Sequence, residues 1–286
     1  LLQKAGLSAY VGKVNMDRNS PEFLIEETKQ SLLDTKAWLD EAAQFDPLVK
    51  PIITPRFVPS CTSELMTGLA KLAKEYNVPV QSHLSENHGE IDWVASLHPE
   101  SSNYTDVYYE HHLMGTVPTV MAHCIHLSGV EMDRMADTQT MVSHCPYSNV
   151  NLSSGIAPIR KLFERNIPIG LGSDISGGHI VSMAKVLTEA IGLSKMKWAE
   201  VDQNYAPLTL SEAFYMATKG GGQFFGHVGS FENGCELDAL IIDDTSLFDP
   251  NERSLEERLE RWLYVGDDRH IIERYVAGRV VPSPKG

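Results

Sequence analysis

The sequence predicts an α/β fold on a parallel sheet: a (β/α)8 TIM-type barrel whose first two β/α units are absent from this chain, followed by a small β-rich segment. Three observations predict it. Short apolar runs alternate with helical patterns along most of the chain, as in βαβ units whose sheet is covered on both faces. Six such runs are present, where a closed barrel of this kind needs eight. The chain also begins inside what reads as the end of a helix, without an initiating Met. An open doubly wound sheet is the alternative arrangement.

The elements follow in order. "SAYVGKV" (8–14) reads as a strand, and an amphipathic stretch from Pro21 to about Phe45 reads as a helix with Pro at its first position after Ser20. "VKPIIT" (49–54) is the next strand and 62–77 the next helix. "VPVQS" (78–82) leads to a helix beginning near Glu86, with a second helical stretch over about 105–114. "PTVMA" (118–122) precedes a helix over 128–137, which Ser128 caps with Glu131 three residues on. "TMVS" (140–143) and "IPIGLG" (167–172) are the last two barrel strands, with a longer helix over about 180–197 after them. Past about residue 226 the pattern becomes β-rich in "CELDALIID" (235–243) and "IIERYVAGRVV" (271–281), with a hairpin-like turn at Gly278 and a charged helix over roughly 254–264. The expected division is therefore a barrel segment over 1–226 and a C-terminal segment over 227–286, which includes that helix.

In a barrel, the C-terminal ends of the strands carry the active site. Here those ends bear Arg56 and Phe57 in "TPRF", His83 with Glu86 three residues on, His123 in "VMAHCIH", His144 in "SHCPYSN" and Asp174 in "GSD". Each has an ordinary reading alone: a satisfied structural histidine, a surface arginine, an aspartate in a turn or helix cap. Together they place imidazoles and carboxylates at five consecutive strand ends, the ligand types of a zinc site that activates water. His88, His111 and His112 read as surface residues, and His98, His126, His179 and His270 have no evident partners in the pattern. "KGGGQFFG" (219–226) lacks the Lys-Ser/Thr ending of a phosphate loop and does not follow a strand.

Composition bounds the function. The formal net charge of -14 argues against nucleic acid as a partner, which needs clustered Lys and Arg. No run approaches the ~20 apolar residues of a membrane span, and no signal-peptide pattern opens the chain. Four cysteines without a C-x-x-C pair fit a reducing compartment, so a cytoplasmic protein without a membrane partner is expected.

The ordered stretches "GKVNMDRN", "ITPRF", "QSHLSEN", "VMAHCIHLS", "SHCPYSN", "LSSG", "GLGSDISGG" and "VGDDRHI" resemble the guanine deaminase family of the amidohydrolase superfamily, from about residue 8 to the C-terminus. The resemblance implies a (β/α)8 barrel with a small β-sandwich built from both chain ends, a homodimer, and purine catabolism by zinc-dependent hydrolysis of guanine to xanthine and ammonia. One Zn2+ per subunit is implied, with Fe2+ the alternative. His83 and Asp174 match metal ligands, whereas the family's H-x-H pair has no match in this sequence. The resemblance further implies Glu86 as proton donor to the purine, Asp174 as acceptor of the water proton, and His123 as hydrogen-bond partner of the attacking oxygen. Arg56, Phe57, His83, Leu84, Ser85, Glu86 and Asp174 would contact guanine. Two alternatives stand beside this reading: an amidohydrolase acting on another amino-substituted heterocycle, and a catalytically inactive scaffold, which the missing H-x-H favours.

Overall fold

The computed structural model describes residues 1–282, so the last four residues of the expected C-terminal segment lie outside the described residues. In chain order the elements are α1 (Leu2–Ala5), β1 (Ala9–Val11), β2 (Val14–Asn15), α2 (Thr28–Ala42), β3 (Val49–Pro51), β4 (Thr54–Pro55), α3 (Ser63–Tyr76), β5 (Val80–Leu84), α4 (His88–Leu97), α5 (Tyr104–Glu110), β6 (Thr119–His123), α6 (Gly129–Asp137), β7 (Met141–His144), α7 (Pro146–Asn151), α8 (Ile159–Glu164), β8 (Ile169–Leu171), α9 (Met183–Glu200), α10 (Leu210–Tyr215), β9 (Ala239–Ile242), α11 (Leu255–Val265), β10 (Ile271–Val276) and β11 (Arg279–Val280). The chain divides into two compact units: 1–144 with 161–168, and 145–160 with 169–286.

The first unit carries parallel strands in sequence order. β1 pairs β3 and β2 pairs β4, a parallel bridge joins Ile53 to Val80, and β5, β6 and β7 continue in parallel register. The first two predicted strands are each broken into two short pieces. At the first break stands Gly12, where a Cβ would come within 1.9 Å of Thr54 Oγ1 and 2.5 Å of Ile52 O, so the two broken strands meet backbone to backbone. β5 and β6 share one burial pattern, in which alternate residues are fully enclosed and those between are half-buried. Val80 and Leu84 are completely buried, as are Met121, Met135 and Tyr108; each such side chain contributes about 1.5–3 kcal/mol of apolar burial.

The predicted helix from Pro21 is corrected: α2 starts at Thr28, with the Glu27 side chain accepting from Gln30 N–H. Long-range contacts hold 21–27 out of the helix. Lys13 Nζ pairs with the Glu26 carboxylate at 2.5 Å, Glu26 N–H donates to Met16 O at 2.9 Å, and Glu26 also accepts from Ser31 Oγ. The helix expected near Glu86 begins at His88, because Asn87 is its cap. The capping box at Ser128 and Glu131 forms as expected.

In the second unit, α7 and α10 were not foreseen, and α10 runs into a π-helical turn over Met216–Gly220. The glycine-rich run therefore follows a helix and not a strand. The C-terminal strands form an antiparallel sheet in the order β11-β10-β9, with Ala277 and Gly278 both at positive φ in the hairpin between β10 and β11.

Glu131 ties two helices to one another, since its carboxylate accepts from Ser128 N–H and Oγ and from Thr105 N–H and Oγ1 while being 6% exposed. Glu131→Ala strands those buried donors, so equilibrium urea unfolding should show a loss of about 2–3 kcal/mol; a loss below about 0.5 kcal/mol, the range of plain surface substitutions, would contradict this account of the packing.

Candidate active site

Three side chains converge at the ends of β5 and β6. His83 leaves β5 on its half-buried face, and its Nδ1 lies 2.7 Å from the Arg56 carbonyl oxygen. A carbonyl only accepts, so Nδ1 carries the proton and the lone pair is on Nε2. The His83 and His123 rings stack with centroids 5.4 Å apart, and Glu86 Oε2 stands 3.8 Å from His123 Nε2. His123 is 1% exposed, whereas the Glu86 side chain keeps 18% of its surface in contact with solvent. His144, at the end of β7, is buried with its Nδ1 unpartnered; burial, with the His123 ring beside it as the lesser cause, pushes its pKa down to about 3. His144 is therefore neutral at physiological pH, an acceptor or donor and not a cation.

The backbone here departs from regular geometry. Ser85, His123 and Cys124 have φ of 49°, 70° and 52°, a left-handed conformation that costs non-glycine residues roughly 1–2 kcal/mol each. These turns end β5 and β6 abruptly. They are braced by backbone bonds: Cys124 N–H donates to Leu84 O at 2.9 Å, and Ile125 and His126 N–H both donate to Ser85 O at 3.1 Å.

An open face with a cation and two rings lies on the same unit. The exposed Arg56 guanidinium stands 4.9 Å from the Phe57 ring centroid, and Phe57 meets Trp93 edge-on at 6.3 Å. Leu84 is fully buried on the strand face it shares with Val80 and Ser82, and Ser85 is buried with its hydroxyl unpartnered. Asp174 belongs to the second unit, in the loop after β8, with φ 44°. Its carbonyl accepts from Gly178 N–H at 2.6 Å, and a Cβ on Gly177 would come within 2.5 Å of Asp174 Oδ2 and 2.7 Å of Ser148 Oγ. Glycine at 177 is thus what leaves the carboxylate room.

A buried polar layer supports β5 from below, and sequence reasoning missed it. Tyr108 OH donates to His83 O at 2.8 Å and bonds Ser82 Oγ at 2.8 Å, while Ser82 Oγ donates to Pro55 O at 2.7 Å. Tyr104 stacks on Tyr108 and donates to Glu90 Oε1 at 2.6 Å. In the sequence, Tyr104 and Tyr108 look like any apolar helix stripe and Glu90 like a solvated helix residue, and no local signal marks them as a buried cluster. Of the histidines read as partnerless, His98 is buried and bonded to Arg18 and Glu100, His270 to Asp267 and Ser246, and His126 lies 4.0 Å from the exposed His88 ring.

His83 suits a metal. With Nδ1–H held by a backbone carbonyl, Nε2 is aimed as a neutral imidazole donor, the arrangement that orients metal-binding histidines. Among the described residues no group of three or more His, Cys, Asp or Glu side chains is arranged to hold a metal ion.

Known proteins match this sequence across its length. Residues 2–281 match the amidohydrolase family. A guanine deaminase of Dictyostelium discoideum is 44% identical over 98% of this chain and 64% of its own length; that of Mus musculus is 40% identical over 99% and 65%. A crystal structure of guanine deaminase from C. acetobutylicum with bound guanine in its active site is 52% identical and superimposes with a TM-score of 0.95, over 98% of this chain and 67% of that one. The chain thus spans about two thirds of the length of the relatives it matches. By the match of nearly all its residues, the chain belongs to the amidohydrolase family.

Proposed function

We propose that the protein containing this chain hydrolyses guanine to xanthine and ammonia. The observation that carries the reading is the grouping of His83, held in one tautomer by Arg56 O, with Glu86 and His123 3.8 Å apart beside it. The similarity to guanine deaminases at 40–52% identity supports guanine as the substrate. The parallel order of the strands supports a (β/α)8 barrel over 1–226, with two further units supplied from outside this chain and 227–286 forming part of a small β-sandwich. We also infer a cytoplasmic homodimer; among the described residues no helix is long and apolar enough to cross a membrane.

His83 and Asp174 would hold Zn2+, or Fe2+ in its place, together with ligands outside this chain. The metal supplies Lewis acidity that lowers the pKa of a water toward ~7. The protein's own groups do the rest. Arg56 donates to guanine O6 with a rigid fork that fixes the ring, and Phe57 covers its face. Leu84 and Ser85 adjoin the purine in this reading through the turn that ends β5. Asp174 takes a proton from the attacking water as its oxygen bonds to C2. Glu86 delivers a proton to N3, so that the ring accepts the electron pair, and His123 hydrogen-bonds the incoming oxygen. The C2–N bond then breaks, the amine leaves as ammonia with the proton Asp174 held, and the new hydroxyl gives its proton back to Glu86 as the C2 carbonyl of xanthine forms.

Glu86→Gln keeps the shape and removes the acid, so guanine kcat should fall about 10²–10⁴-fold with little change in Tm; a near-normal rate would exclude Glu86 as the donor. Arg56→Ala tests the substrate. Loss of a charge-assisted hydrogen bond of about 1.5–3 kcal/mol should lower kcat/KM for guanine about 10–100-fold. Turnover of 2-aminopurine, which lacks O6, should change little. Equal losses on both purines would point to another amino-substituted heterocycle as the substrate.

A further inference from the structure

The Ser85–Glu86 peptide group is held from both sides. Its carbonyl accepts from Ile125 and His126 N–H, and its N–H donates to Glu90 Oε2 at 2.9 Å. A flip of this peptide, which rotates ψ of Ser85 and φ of Glu86, would break all of these bonds at once and reorient the Glu86 side chain, which stands 3.8 Å from His123. Of the groups that hold this peptide, Glu90 is the one that acts through a side chain.

Capping of α4 does not explain Glu90. Asn87 already caps that helix, its side chain accepting from Glu90 N–H at 2.9 Å. In a capping box the Glu90 carboxylate would return to the Asn87 N–H. It reaches one residue further back instead, to Glu86. Its other oxygen takes the Tyr104 hydroxyl at 2.6 Å, and the whole residue is 6% exposed. Burying a carboxylate is unfavourable unless it is hydrogen-bonded, so this placement has a cost that two donors offset. Burial raises the pKa of Glu90, while the Tyr104 and Glu86 donors pull it back. Tyr104 stacks on Tyr108, whose hydroxyl holds the His83 carbonyl. One buried cluster therefore anchors both the strand end that carries His83 and the turn that carries Glu86.

We propose that Glu90, oriented by Tyr104, is a positioning residue for Glu86: it clamps the Glu86 N–H and so keeps the carboxylate at the reaction site. The proposal rests on the reading of Glu86 as proton donor given above.

The test uses the full-length protein as wild type, Glu90→Ala, Glu90→Gln and Tyr104→Phe, with guanine kinetics and hydrogen–deuterium exchange of the peptide spanning 84–90. Gln restores both contacts, because its Oε1 accepts from Glu86 N–H and its Nε2 donates to the Tyr104 oxygen. Glu90→Ala should lower kcat at least ~10-fold with KM within ~2-fold, since misplacement of a reacting group by an ångström costs up to ~10²-fold. It should also speed exchange over 84–90 at least ~10-fold by opening that turn locally. Glu90→Gln should lie within ~3-fold of wild type on both readouts, and Tyr104→Phe between the two. Ser254→Ala, which removes a cap from α11, serves as a control that lowers Tm without moving either readout. Wild-type kcat in Glu90→Ala, a kcat loss without faster local exchange, or a Gln variant as slow as the Ala variant would each overturn the proposal. Should Glu90→Ala fail to fold, Tyr104→Phe and Glu90→Gln decide it by the same criteria. If the wild-type protein does not turn over guanine, the functional reading fails, and the exchange arm still decides whether Glu90 holds the turn.

Discussion

The site depends on how two parallel strands stop. β5 and β6 run in register from Val80 with Thr119 to Leu84 with His123, and both then turn through left-handed residues. The bonds from Cys124, Ile125 and His126 to Leu84 and Ser85 lock the two turns together, and beside them Glu86 stands 3.8 Å from His123. Backbone strain of roughly 1–2 kcal/mol per residue is thereby sustained by contacts that the regular parts of the sheet provide.

Electrostatics follow from that geometry. The Arg56 carbonyl holds the His83 Nδ1–H, and burial keeps His144 neutral. A bound metal ion would favour neutral imidazoles beside it, because uncompensated cations would weaken its binding. Glu86 keeps solvent access, as the role of proton donor proposed for it would need. Arg56 stands apart on the exposed face with Phe57 and Trp93, a planar cation among rings, suited to a flat polar heterocycle.

Much of this is legible in the sequence, and the exceptions have a common cause. The Ser128–Glu131 box is local, three residues long, and predicts the start of α6 correctly. The start of α2 is misread because Glu26 is held by Lys13 and Met16, ten or more residues away, and no local pattern records that. The polar strand ends His83, His123 and His144 stand out because a buried strand gains nothing from an imidazole. Glu90, Tyr104 and Tyr108 do not stand out, since their chemistry appears only when α4 and α5 pack against β5. Trp93 is likewise an unremarkable helix residue until it meets Phe57. Strand ends thus announce the groups that would do chemistry, while the residues that hold them in place are written in tertiary contacts.

The most direct measurement is to incubate the full-length protein, with its metal content determined, with guanine in oxygen-18-labelled water and to analyse the products by mass spectrometry. Hydrolysis at C2 predicts xanthine carrying a single labelled oxygen and an equal amount of ammonia. Metal-loaded protein that yields no xanthine, or xanthine without the label, would contradict the account.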